Sequence, residues 1–127
     1  MTDTPLAGRC ILLVEDQTLI ALEIEMALLD AGARVLGPAV RLSRGLEIAQ
    51  ANLSAIEAAI LDIDLNGEDV FPLAALLRAN DVPFLFHTGH GTRAALAAEF
   101  ASVPVCTKPI LTRDLIGEVV AILRANA

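Results

Sequence analysis

Ala58-Ala59-Ile60-Leu61 runs without a polar residue into Asp62-Ile63-Asp64-Leu65-Asn66-Gly67, and this stretch decides the reading of the chain. Its apolar half has the length and composition of a strand buried on both faces. Its second half is acidic and closes on Asn66-Gly67, a strong loop signal. In a parallel α/β sheet, ligands bind in the crevice beyond the carboxyl ends of the strands. Asp62 stands at such an end, which makes it the first candidate functional residue.

The same pattern recurs on both sides of that stretch. Cys10–Val14 is a second continuous apolar run, ending abruptly in Glu15-Asp16. Thr18 to Ala31 reads as a helix, with Ile20, Ile24, Ala27 and Leu28 on one stripe and Gly32 as its stop. Arg34–Val40 is a strand weakened by Gly37-Pro38, which suits a sheet edge. Ser43 is placed to cap a helix running to about Asn52. After the central stretch come a helix over Val70–Ala79 opened by Pro72, a strand over Pro83–Thr88 and a short helix over Thr92–Phe100. A strand over Val103–Thr107 and a helix over Thr112–Ala125 complete the chain. Strand and helix alternate five times at short spacing. That predicts an α/β fold: a doubly wound, five-stranded parallel sheet in the order 2-1-3-4-5 with five helices.

The chain has 127 residues, which is one domain with a core of useful size. Residues 1–8 read as a polar lead-in and 9–126 as the domain, with no output domain expected. Hydrophobic residues make up 55%, with no Trp or Tyr and four Phe, so an aliphatic core is expected. The formal charge of −7 argues against nucleic acid and against an anionic membrane surface. No apolar run approaches the roughly 20 residues of a membrane span, and no basic cluster marks a signal peptide. Cys10 and Cys106 fall inside buried strands and read as small core hydrophobes rather than a disulfide.

The residues just past the strands carry the chemistry. Strand one ends in Glu15-Asp16, strand three in Asp62, strand four in Thr88 and strand five in Lys108. All belong on one edge of the sheet. Gathered carboxylates repel and raise each other's pKa, so positive charge has to offset them. Lys108 is one source and a divalent cation is the other. Mg²⁺ takes one or two carboxylates, keeps waters and leaves places for phosphate oxygens. Asp16 and Asp62 are its natural carboxylate ligands, with a backbone carbonyl just beyond Asp62 as a further one. Phosphoryl transfer needs positioning and charge neutralisation more than covalent help, and a carboxylate can itself form an aspartyl-phosphate.

These residues together resemble the receiver domain of two-component response regulators, which has a flavodoxin-like fold. The resemblance runs from about Arg9 to Ala125 and rests on Leu13-Val14-Glu15-Asp16, Leu61 to Gly67, Thr88-Gly89 and Lys108-Pro109. It implies that Asp62 is the phosphoacceptor, that Asp16 and Asp62 ligate Mg²⁺ (or Mn²⁺) and that Glu15 acts through a water. The main-chain carbonyl of Asp64 is implied as a further metal ligand. Thr88 is implied as the switch hydroxyl and Lys108 as the phosphoryl contact, with a cis Lys108–Pro109 bond. The implied donor is a sensor histidine kinase or phosphotransfer protein. The implied output is contact with a further protein through the fourth helix, fifth strand and last helix, or service as a phosphate sink or relay. A cytoplasmic monomer or weak dimer is expected, an enzyme only in its own phosphorylation and dephosphorylation.

Two departures qualify this. Val105 stands where receivers usually carry a switch aromatic. Phe86-His87-Thr88-Gly89 resembles a mostly stand-alone Phe-x-Thr-Gly branch, but with His87 in place of Ala and His90 where a Tyr is frequent. Strand alternation turns His87 away from Thr88, whereas His90 flanks the pocket; two His without a third partner make no zinc site. The competing readings are a haloacid-dehalogenase-like phosphohydrolase, built on Asp62-x-Asp64, and a degenerate receiver acting by binding alone. The hydrolase family puts its nucleophile on the first strand and its acidic pair after the lysine, unlike this chain. A flavodoxin-like nucleotide binder lacks its glycine-rich loop here. Gly89-His90-Gly91-Thr92 is the expected mobile loop, so amide exchange across residues 89–100 is expected to change when a phosphoryl analogue is added.

Overall fold

The computed structural model describes residues 4–89 and 99–126. In chain order its elements are β1 (Cys10–Val14), α1 (Thr18–Asp30), β2 (Arg34–Ala39), α2 (Leu42–Ala51), β3 (Ala58–Leu61), β4 (Asp64–Leu65) and β5 (Glu68–Asp69). There follow α3 (Phe71–Ala79), β6 (Phe84–Thr88), β7 (Val105–Thr107) and α4 (Thr112–Ala125). Five strands form one parallel sheet in the order β2-β1-β3-β6-β7, which is the expected 2-1-3-4-5. The expected helix over Thr92–Phe100 lies outside the described residues except for its last two positions, as do His90 and the loop beyond Gly89.

Alternation along the strands sorts the apolar residues into two layers. Leu12, Val14, Ala59, Leu61, Phe84 and Phe86 pack against α2 and α3. Ile11, Leu13, Ala58, Ile60, Leu85 and Cys106 pack against α1 and α4. The second layer is aliphatic, as the composition suggests. The first is not: all four phenylalanines meet there, with Phe71 stacked on Phe100 at 5.5 Å and edge-on to Phe86 at 6.0 Å. Cys10 and Cys106 are free and buried on β1 and β7, three strand spacings or roughly 14 Å apart, beyond disulfide reach.

Four local expectations are corrected. The lead-in is partly core: Leu6 is fully buried, and its N–H donates to the Ala31 carbonyl at 2.9 Å. Ser43 lies within α2, which starts at Leu42 after an extended Arg41, and no side chain caps it. Strand β7 starts at Val105 rather than Val103, although Phe86 N–H still reaches the Pro104 carbonyl at 2.9 Å. The acidic loop holds a two-stranded antiparallel hairpin, β4–β5. Its turn, Asn66-Gly67, has φ of 55° and 96°, the paired positive values that an Asn-Gly turn accommodates.

β2 is an edge strand, as its proline implied. Its register against β1 slips between Leu12 and Val14, where Gly37-Pro38 supplies an extra residue. Gly37 has φ of 102°, and a Cβ there would stand 2.5 Å from the Leu13 carbonyl oxygen. Gly37→Ala is therefore expected to cost about 2 kcal/mol or more, read as a lower urea midpoint with an unchanged slope.

Candidate functional site

The carboxyl edge of the sheet gathers the strand-end residues because the ladder continues past each strand. Glu15 N–H donates to the Ala39 carbonyl, Asp62 N–H to Val14 and Lys108 N–H to Thr88, at 2.9, 2.9 and 2.8 Å. Glu15, Asp62 and Thr88 are thereby buried, at 0%, 5% and 5% exposure. Asp16, Gln17, Asp62, Ile63, Asp64, Thr88, Gly89 and Lys108 line one cleft of about 310 Å³.

Lys108 sits among the acids. Its Nζ donates to Asp62 Oδ2 at 3.0 Å and to Glu15 Oε2 and Gln17 Oε1 at 3.2 Å each. It also lies 3.0 Å from Glu15 Oε1. Gln17 N–H adds a bond to Glu15 Oε2 at 3.1 Å. At the mouth, the β4–β5 turn holds the other two acids: Asn66 N–H donates to Asp16 Oδ2 at 3.0 Å and Gly67 N–H to Asp64 Oδ1 at 2.8 Å. One oxygen of the Asp64 carboxylate is thus bonded within its own turn. The Lys108–Pro109 bond is cis, as expected, and so is Gly37–Pro38.

Two buried carboxylates share one ammonium, and the crowding falls chiefly on Asp62. Burial and neighbouring Glu15 push the Asp62 carboxyl up to about 8, against the pull of Lys108. Burial would raise Glu15 as well, but His87, Asp62, the Gln17 N–H and Lys108 together hold it down at about 2. For Lys108, burial is outweighed by Asp62 and Glu15, which raise it above the ordinary lysine value. An added cation would relieve the same crowding. Glu15, Asp16 and Asp62 each offer an oxygen within 4.8 Å of the others, and an all-oxygen donor set suits a hard divalent ion such as Mg²⁺. The residues present fit that ion.

Asp16, Asp62, Thr88 and Lys108 are brought together as the sequence implied, with Glu15 behind them and Asp64 at the entrance. Val105 is 38% exposed on the edge strand β7. His87 does face away from the cleft and lines a separate cavity. Two features had no signal in the sequence: the two-way role of Gln17, and the approach of His87 Nδ1 to Glu15 Oε1, at 3.6 Å.

Folding raises the Asp62 pKa, so its contribution to stability is full below about pH 4 and is lost as pH climbs towards 8. Asp62→Asn removes that loss. In metal-free urea unfolding the variant is expected to gain on the native chain between pH 5 and 9, by roughly 1–3 kcal/mol at the alkaline end. A constant difference across that range would show that Asp62 ionises normally.

No family model and no curated protein matches the chain. Solved structures do. A response regulator receiver protein from Sinorhizobium medicae WSM419 superposes with a TM-score of 0.84 at 24% identity, over 94% of this chain and 98% of that one. A CheY-like response regulator receiver domain protein from Methanospirillum hungatei JF-1 gives 0.80 at 22% identity, over 94% and 97%. The receiver domain of the hybrid histidine kinase CckA gives 0.75 at 28% identity, over 90% and 98%.

Proposed function

We propose that this chain, a response-regulator receiver domain by its fold, accepts a phosphoryl group on Asp62 from a phosphohistidine donor and passes the signal on by protein contact. The observation that carries this reading is the single ammonium of Lys108 held between buried Asp62 and Glu15 at the carboxyl edge of the sheet.

The transfer balances within that pocket. An ionised Asp62 oxygen attacks phosphorus and forms the new O–P bond. The donor's P–N bond breaks, and its electron pair stays on the imidazole nitrogen. Asp16, Asp62 and the Asp64 carbonyl would hold Mg²⁺ (or Mn²⁺), with Glu15 acting through a water, and the bound ion supplies charge neutralisation on the transferring oxygens. Lys108 leaves Asp62 to cover a second phosphoryl oxygen, and the Thr88 hydroxyl donates to a third. The phosphate brings about −1.5 to −2 charge into the pocket. That charge reorders the groups around it and so biases the surface a partner meets.

A sensor histidine kinase or phosphotransfer protein is the donor this reading assigns, with the cytoplasm as the place where the two meet. Among the described residues no helix is long and apolar enough to cross a membrane. Exposed Val105 and Leu111 support an output face on the β7 and α4 side. The chain's catalysis is confined to its own phosphorylation and dephosphorylation. A phosphohydrolase would need Asp64 as an acid and base beside Asp62, and the bond from Gly67 N–H speaks against that use.

Intact-mass analysis after incubation with acetyl phosphate tests the reading. One phosphoryl group is expected with Mg²⁺, none with a chelator and none in Asp62→Ala. Lys108→Ala is expected to slow uptake by roughly 10²-fold, the scale for losing one charge-stabilising donor. Continuous phosphate release by the native chain would favour the hydrolase. No uptake from either the small donor or a phosphorylated histidine protein would leave a receiver that acts by binding alone.

A further inference from the structure

His87 is the strand-end residue that the proposed chemistry leaves unused. It is 4% exposed on β6, on the same face as Leu85. With Ile20, Ile24, Ile110 and Leu115 it lines a cavity of about 160 Å³, with Glu23 also in the lining. Lys108 is a wall of this cavity and of the phosphorylation cleft at once.

Its Nδ1 stands 3.6 Å from Glu15 Oε1, too far for a hydrogen bond. Among the described residues these two facing atoms are the buried side-chain polar atoms that lack a hydrogen-bond partner. A carboxylate only accepts, so a bond between the two requires the proton on Nδ1. Lys108 Nζ lies 3.0 Å from the same Glu15 Oε1, without the alignment of a hydrogen bond.

We infer that His87 is a positioning residue for Glu15, closing on its carboxylate when Lys108 turns to a phosphoryl group on Asp62. The inference rests on the reading of Asp62 as phosphoacceptor. A buried carboxylate that loses its ammonium keeps the Gln17 N–H and, with Mg²⁺ bound, a water as its donors, and a further donor lowers the cost of its buried charge. A shift of a few tenths of an ångström brings Nδ1–H into bonding range and satisfies both orphaned atoms. His87 thus releases Lys108 for the phosphoryl oxygen. Without it, Lys108 stays tied to Glu15.

The test uses beryllofluoride with Mg²⁺ as the phosphoryl analogue, on the native chain, His87→Leu and His87→Asn. Leu fills the space without a donor. The Asn amide nitrogen sits where Nδ1 sits and donates. Beryllofluoride affinity is expected to fall about tenfold in His87→Leu, which is about 1.4 kcal/mol, and to return within about twofold of native in His87→Asn. Mg²⁺ affinity without beryllofluoride is expected to stay the same in all three. On the native chain alone, the ¹⁵N resonance of His87 Nδ1 is expected to move when beryllofluoride binds, which reads the contact without any variant having to fold. Equal beryllofluoride affinity in His87→Leu, or a stationary Nδ1 resonance in a native chain that binds the analogue, overturns the inference and leaves the receiver reading standing. A native chain that binds Mg²⁺ but no beryllofluoride overturns the receiver reading, and this inference with it.

Discussion

One ammonium makes the carboxyl edge of this sheet possible. Glu15 and Asp62 are both buried, and Lys108 Nζ reaches each of them at 3.0 Å. Two buried acids with no cation between them would each bear the cost of desolvation and of the other's charge. The lysine can do this because its backbone is fixed: Lys108 N–H bonds the Thr88 carbonyl at 2.8 Å, one step beyond the Thr88–Thr107 register of β6 and β7. Register and chemistry are therefore one constraint. A slip of one residue in the last strand would turn Lys108 to the other face and leave the acids unmatched.

The sheet was legible because its three central strands, β1, β3 and β6, are short and almost wholly apolar, a composition suited to a doubly covered parallel sheet. What was not legible shares a cause. The β4–β5 hairpin has strands of two residues each, too short for any period to show, and only Asn66-Gly67 marked its turn. Leu6 looks like an isolated apolar residue in a polar segment, and its burial depends on where the end of α1 lies in space. On helix α1 the stripe of Ile20, Ile24, Ala27 and Leu28 does face the core, but Leu19, Leu22, Met26 and Leu29 are exposed, and their hydrophobicity gave no sign of it.

The site divides in the same way. Asp16, Asp62, Thr88 and Lys108 could be grouped from sequence because topology alone sends strand ends to one edge. Their ionisation could not be read, because it depends on depth. Asp62 is pushed up to about 8 and Glu15 down to about 2 by burial and by which donors reach which oxygen. The part of Gln17 belongs with these. Its amide N–H and side-chain oxygen matter through distances to Glu15 and Lys108, and a glutamine in a loop announces neither.

Val105 sharpens what Lys108 has to do. A binding event shifts a conformational equilibrium only as far as it interacts differently with the two states. With no aromatic ring at position 105, the cleft cannot reach the surface of β7 through one. Lys108 borders both the cleft and the cavity that His87 shares with Ile24 of α1 and Leu115 of α4. A charge arriving on Asp62 acts on that lysine first, because the lysine is the nearest cation and already bonded to it. Whatever the lysine releases on the far side is felt among close-packed aliphatic groups, which answer a displacement by moving rather than by compressing. The ammonium that makes the acids tolerable thus also borders both sides of the sheet edge.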